Sequence, residues 1–334
     1  MKKNLFLIPV AALAFAACTN ETTEYVGDTS QQAKEIAFNP LAQPVTRGQY
    51  SISGTSFPTD NTMEVKCHQS APSSAAYFDQ TTFTKGATYW GASKYWPLSA
   101  ATLNFFAVSG YGVTASHITI ADALASATVA YTSANSYTQA NQSDIMYAFG
   151  RGAVTQTSNA LSFNAGNPVD LVFKHALALV DFEVKGNGAT ETSAITVNSI
   201  TLTGAQYTGT LTLTNTGASA SSGEVTTAVS WEADATPGPV AVPGISTSTA
   251  ITDNYARIGN GLMVIPGTGF TSFTINYSMN GNTYEYTYTP TPAVTTVAAT
   301  KYTYQINFTL HEILINPTVT NWGSGEGGTI TVGS

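Results

Sequence analysis

Charge is scarce in this chain. Only 10% of its 334 residues are Asp, Glu, Lys or Arg, and only three are arginines: Arg47, Arg151 and Arg257. The net charge is −8. Up to residue 47, Lys2, Lys3, Lys34 and Arg47 balance Glu21, Glu24, Asp28 and Glu35, so the negative charge falls on residues 48–334. That leaves no basic patch for nucleic acid or an anionic lipid surface. Cysteine is nearly absent, with Cys18 and Cys67 alone. The four histidines, His68, His117, His175 and His311, are scattered, without the His-Glu-x-x-His spacing of a zinc protease. No phosphate loop, nucleophile elbow or Cys/His metal cluster can be picked out. The sequence therefore points to no catalytic residue, no metal and no cofactor.

Apolar runs of about 20 residues, the length that spans a bilayer, are missing as well. The one candidate, residues 5–15, is shorter, follows Lys2 and Lys3, and gives way to small residues before Cys18. Residues 1–17 read as a secretory signal. The run Phe15-Ala16-Ala17-Cys18 resembles a lipobox, where bacterial signal peptidase II cuts and the cysteine receives lipid; phenylalanine stands where leucine is usual. Acyl chains contribute roughly 0.8 kcal/mol per buried CH2, and two or more anchor a chain stably. A lipidated Cys18 leaves Cys67 without a disulfide partner. Met63, Val65 and Cys67 alternate with Glu64, Lys66 and His68. Cys67 then shares an apolar face, reads as a buried structural thiol, and has His68 pointing the other way.

What the chain has in quantity is β-forming residues. Hydrophobic residues reach 43%, with 17 Tyr and 15 Phe. Short alternating runs are separated by Gly, Asn, Ser and Pro, the pattern of antiparallel sandwiches. Strands are predicted over residues 63–67, 77–83, 103–108, 143–148, 169–175, 195–202, 209–213, 229–231, 262–266, 273–279, 284–288, 302–310, 313–322 and 329–332. Asn280-Gly281 between two alternating runs is a strong hairpin signal. Residues 117–130 are the one predicted helix, with Ile118, Ala121, Leu124 and Ala125 on one side. A polar loop is expected from 149 to 167. The apolar phase shifts between Leu171/Phe173 and Phe182/Val184, which implies a bulge or a crossing between sheets. A boundary is placed there, giving domains over 48–167 and 168–334. His175 reads as a satisfied core histidine, and Asp181 and Glu183 as a solvated pair.

The stretch 18–48 stands apart. It holds a short strand-like piece, Ile36-Ala37-Phe38, and closes on Thr46-Arg47-Gly48. Arg47 lies in an extended context open to a protease, or else is a solvated linker arginine. Tyr95-Trp96-Pro97, Asp144-Ile145-Met146-Tyr147-Ala148, Phe173-Lys174-His175-Ala176-Leu177, Leu262-Met263-Val264-Ile265-Pro266 and Val319-Thr320-Asn321-Trp322 follow in order. With the lipobox and the Thr-Arg-Gly stretch, this series resembles the fimbrillins, subunits of lipoprotein-derived type V pili.

The resemblance implies an all-β chain of two tandem transthyretin-like β-sandwich domains. It implies an outer-membrane lipoprotein precursor held by lipid on Cys18. An Arg-specific maturation protease would cut between Arg47 and Gly48. Loss of the removable strand carrying Ile36 and Phe38 would open a groove, to be filled by a strand of another fimbrillin subunit in a homopolymer or mixed pilus. The mature product would be a cell-surface fimbrium supporting adhesion. Candidate donors are residues 329–332, with Ile330 and Val332, and the longer piece 313–322. Either could instead close its own sheet. The rival reading is a surface glycan-binding lipoprotein in which Trp90, Tyr95, Trp96 and Trp231 stack on sugar rings; the plainer reading makes them core and corner aromatics.

Overall fold

The computed structural model describes residues 33–42, 62–69, 76–110, 118–120, 126–131, 142, 144–157, 160–186, 195–215, 227–234, 238–246, 251–267, 269–308, 313–321 and 330–331. Cys18, Arg47, Gly48, His117, His311 and Val332 lie outside the described residues. Within them the chain is all-β, with a single 3-10 turn at Asn164–Gly166 and no α-helix.

The first strands are β1 Phe38–Ala42, β2 Met63–Gln69, β3 Ala76–Lys85, β4 Trp90–Gly91 and β5 Ala101–Gly110. Then come β6 Ile118–Thr119, β7 Ser126–Tyr131, β8 Ile145–Thr157, β9 Ala160–Phe163 and β10 Val169–His175. The second half has β11 Ala178–Gly186, β12 Ile195–Thr203, β13 Gly209–Asn215, β14 Thr227–Ala233, β15 Val240–Ala241 and β16 Ala256–Arg257. It continues with β17 Leu262–Val264, β18 Ser272–Met279, β19 Asn282–Tyr288, β20 Thr300–Phe308, β21 Ile313–Asn321 and β22 Ile330–Thr331.

The first sheet runs β10-β1-β4-β3-β2-β5-β8-β9, and β10 also pairs with β8. The strands from β10 round to β8 therefore close into a ring. Inside it lie Met63, Val65, Phe83, Phe105, Leu171, Phe173 and their neighbours. A second core forms between the sheet β16-β11-β20-β21-β22, with β17 also on β11, and the sheet β15-β12-β18-β19. Strand β20 shows why: every second side chain from Thr300 to Phe308 is buried, as period-two alternation requires. Asn280 and Gly281, at φ 51° and 80°, make the predicted hairpin between β18 and β19. Both positive φ values belong to a turn whose twist matches the strands it joins.

A fourth sheet, β14-β13-β7-β6, joins the halves: β7 comes before β8, whereas β13 belongs to the second half. Six residues of β7 pair with β13, from Ser126 opposite Thr214 to Tyr131 opposite Gly209. A core lies between the halves, combining Phe106, Val108, Ile145 and Tyr147 from the first with Leu211, Leu213, Met263 and Ile265 from the second.

Three expectations change and one open alternative is decided. The predicted helix at 117–130 is replaced by β6 and β7, because β-branched Thr119, Thr128 and Val129 have strand partners in reach. The predicted loop after residue 148 is mostly strand, as β8 runs to Thr157 and β9 follows. Its glycines are spacers: a Cβ on Gly150 would strike Leu171, and one on Gly152 would strike Trp96. The phase shift is a crossing between sheets, with β10 in the first and β11 in the second. The switch comes at Ala176-Leu177, between β10 and β11. Asp181 is not solvated: it is 0% exposed on β11 and takes Arg257 Nε at 2.8 Å and Lys301 Nζ at 2.9 Å. Glu183 accepts a hydrogen bond from Gln305 Nε2 at 3.0 Å.

Asp181 ties three strands of the second half through its two cations. Replacing it with Asn leaves both cations short of an anion. The Arg257 side chain is still 27% exposed, so the loss falls below that of a fully buried pair. We expect Asp181→Asn to lower stability by about 2–4 kcal/mol, read from the urea unfolding midpoint.

Candidate functional site: the slot filled by residues 33–42

Residues 33–42 are built into the ring from outside the contiguous run of the first half. Their phase is simple: Ile36, Phe38 and Pro40 are buried, whereas Ala37, Asn39 and Leu41 are half-buried. Ile36 and Phe38 are 0% exposed. The Phe38 ring meets Phe83 and Phe105 edge-on, each at 4.9 Å between centroids. Such pairs add to the burial of the ring itself.

The backbone of this piece is paired on both sides. Along one edge β1 runs parallel to β10, from Phe38 opposite Val169 to Ala42 opposite Phe173. The ladder begins one residue earlier, where Val169 N–H donates to Ala37 O at 2.9 Å. Along the other edge Ile36 N–H donates to Lys94 O at 2.7 Å, Trp96 N–H donates to Lys34 O at 2.9 Å, and Phe38 pairs with Trp90. Pro40 lies two residues beyond that last pair, where the short β4 no longer asks for a donor, as strand proline requires. Two side chains fix the register. The Glu35 carboxylate accepts from Ser93 N–H at 2.8 Å, at a residue with φ 51°. Asn39 Nδ2 donates to Asp170 Oδ1 at 2.9 Å.

The slot is what remains when these residues are subtracted. It is a cleft between β10 and residues 90–96, floored by Phe83 and Phe105, with backbone groups exposed on both walls. Unpaired edges and a dry apolar floor are unfavourable together and favour a strand in that place. Cys67 belongs to the same core, is fully buried, and its thiol is pushed well up by burial.

The remaining sequence candidates fall elsewhere. Ile330 pairs with Val319 in its own chain, as part of β22 on β21. Trp90 and Trp96 are 3% and 4% exposed inside the first core, so they offer no ring face to a sugar. Tyr95 is 49% exposed, and Trp231 packs on the core between the halves, with Nε1–H donating to Ala176 O at 3.0 Å. These four do not form a stacking platform. His175 is buried with Nδ1 2.7 Å from Asp144 Oδ2, a paired core histidine. Among the described residues no group of three His, Cys, Asp or Glu side chains could hold a metal ion. Sequence reasoning missed Glu35 and Asn39, because a polar residue between apolar ones gives no sign of the partner it will meet.

A family model described as fimbrillin-like matches residues 48–322. Among solved structures, a fimbrial protein from Bacteroides vulgatus superposes with a TM-score of 0.51 at 15% identity, over 87% of this chain and 100% of that one. A candidate cell adhesion protein from Bacteroides uniformis gives 0.49 at 16% identity, over 86% and 99%. The tip fimbrial protein Mfa3 from Porphyromonas gingivalis, truncated at its C-terminus, gives 0.43 at 11% identity, over 86% and 100%. No curated protein sequence matches.

Removing the Phe38 ring leaves a void under β1 that its rigid neighbours cannot fill. We expect Phe38→Ala to cost the chain about 3–5 kcal/mol. Tyr284→Ala, at a 40% exposed ring, should leave the urea midpoint nearly unchanged. The Cys67 thiol should resist a thiol reagent at pH 8 in the folded chain and react once it is unfolded.

Proposed function

The chain belongs to the fimbrillin-like family, and from that premise we infer that it is a structural subunit of a surface fimbria, made as a lipidated precursor and polymerised by strand exchange. The observation that carries this reading is the seating of residues 33–42, which lie before the matched region and yet supply a stave of the first ring. Lipid on Cys18 holds the precursor at the outer membrane. Cleavage between Arg47 and Gly48 cuts the covalent link between the stave and the body. The stave is then held without a covalent bond, by its ladder, by Ile36, Phe38 and Pro40, and by the Glu35 and Asn39 hydrogen bonds. Burying Ile36 and Phe38 contributes on the order of 3–6 kcal/mol. A longer strand from a sister molecule can outcompete that.

The cut is selective for a physical reason. Arg151 lies inside β8, between β5 and the rest of the ring, and Arg257 is held by Asp181. A protease must unfold a strand to reach either one. Strand exchange is β-augmentation in which main-chain ladders supply affinity and alternate pockets supply specificity. Because the donor and acceptor are different surfaces, the contact does not close on itself and grows a filament. In this reading the two cores belong to tandem transthyretin-like sandwiches and the subunit supports adhesion. Its partners are other fimbrillin subunits and an Arg-specific protease.

Purified precursor treated with an Arg-specific protease should lose its first 47 residues and give a ladder on a gel run without boiling. Arg47→Ala should stay a monomer under the same treatment. A wild-type chain that loses residues 1–47 and remains a monomer at high concentration would refute strand exchange.

A further inference from the structure

A cavity lies at the edge of the second core, far from the slot of residues 33–42. It is lined by Tyr288 of β19, Tyr302 and Tyr304 of β20, Thr318 and Val319 of β21, and the connection 289–295, which includes Val294. Its volume is about 460 Å³, within the range of about 300–1,000 Å³ that small ligands occupy. Among the described residues that line it there is no Asp, Glu, Lys, Arg or His.

The wall made by the connection is fastened. The Tyr302 hydroxyl accepts from Val297 N–H at 3.0 Å and donates to Thr295 O at 3.2 Å. Thr296 Oγ1 donates to Ile265 O at 3.2 Å, and Gly267 N–H donates to Thr296 O at 2.8 Å. A Cβ on Gly269 would strike Val294 O, so the wall packs directly on backbone. The cavity is therefore formed before anything enters it. Tyr304 is different from Tyr302. It is 2% exposed, and its ring lies 5.7 Å from both Phe182 and Phe270 between centroids. Its hydroxyl has no hydrogen-bond partner among the described residues and opens on the cavity. Burial, with Tyr288 and Tyr302 beside it, pushes its pKa up, so the phenol keeps its proton and remains a donor. A buried hydroxyl left unpaired is unfavourable, and a phenylalanine would fill the same ring position without that cost.

We propose that this cavity binds an uncharged sugar residue, with the Tyr304 hydroxyl bonded to a sugar hydroxyl and the half-buried Tyr288 ring against the apolar face of the pyranose. The lining has no charge to pair with a carboxylate, a phosphate or an amine, so a charged ligand would lose its hydration without return. A hydrocarbon ligand would leave the Tyr304 hydroxyl as unpaired as before. A phenol donates and accepts at one oxygen, as a sugar hydroxyl does. Val294, Val319 and the tyrosine rings take up the C–H face of the sugar. Tyr302 is a positioning residue: its hydroxyl is spent on holding the wall. The site goes beyond the subunit reading and does not depend on it, because it uses no residue of the leader slot. It is also separate from Trp90, Tyr95, Trp96 and Trp231.

Saturation-transfer NMR on the full chain tests the site, with the methyl glycosides of glucose, galactose, mannose and N-acetylglucosamine as probes. We expect transfer to the ring protons of at least one of them. Tyr304→Phe keeps the ring and removes only the hydroxyl. It should weaken that binding about tenfold, the worth of one hydrogen bond. Its urea midpoint should be equal or higher, because the hydroxyl contributes nothing to the empty fold. Val294→Trp, which fills the cavity from its wall, should abolish transfer, and Tyr284→Phe, outside the lining, should leave it unchanged. Absence of transfer to every one of these glycosides, or equal transfer with Tyr304→Phe, overturns the proposal. A lower urea midpoint for Tyr304→Phe overturns it too, since the hydroxyl then has a partner within the chain. Transfer to an uncharged proline-rich peptide and to none of the glycosides also overturns it, in favour of a peptide site.

Discussion

Backbone groups along Val169 to Phe173 must be paired, and the chain pairs them with residues 131 positions away. That long-range, parallel ladder is the constraint on which the first half depends. A parallel neighbour cannot be supplied by a tight hairpin, so it must arrive from a distant part of the chain or from another molecule. Once β1 is in place, β10 and β4 are joined, the ring closes, and the floor of Phe83 and Phe105 is covered. Without it the same sheet has two open edges over an apolar cleft.

The second half is organised differently. Its core is closed by alternating aromatics on β18 and β20, and by Asp181 gathering Arg257 and Lys301 between strands. Among the described residues nothing there is borrowed from the leader. The halves are fastened by the shared β14-β13-β7-β6 sheet and by a core whose residues come from both. Backbone ladders running across that junction resist hinge motion better than side-chain contact alone.

Glycine and charge are where reading the sequence went astray. Gly150 and Gly152 look like loop signals, yet they are the places where Leu171 and Trp96 approach a strand too closely for any Cβ. Asp181 looks like a solvent-facing residue of an alternating strand. Its face is covered, and two cations from strands far along the chain make its burial tolerable. Residues 117–130 have helix-like spacing, but β13 gives Ser126 to Tyr131 a ladder that local propensity cannot foresee. In each case the deciding partner is remote in sequence.

The sequence by itself settled the all-β class, the hairpin at Asn280-Gly281, a break in strand phase between residues 173 and 182, and the membership suggested by the order of its motifs. These depend on local alternation and turn chemistry, which are written residue by residue. Only the tertiary structure decided that Trp90 and Trp96 are core, that Asp181 is an ionic hub, and that the two halves share a sheet. Burial is a property of what surrounds a segment, and the partners that decide it lie far away in the chain.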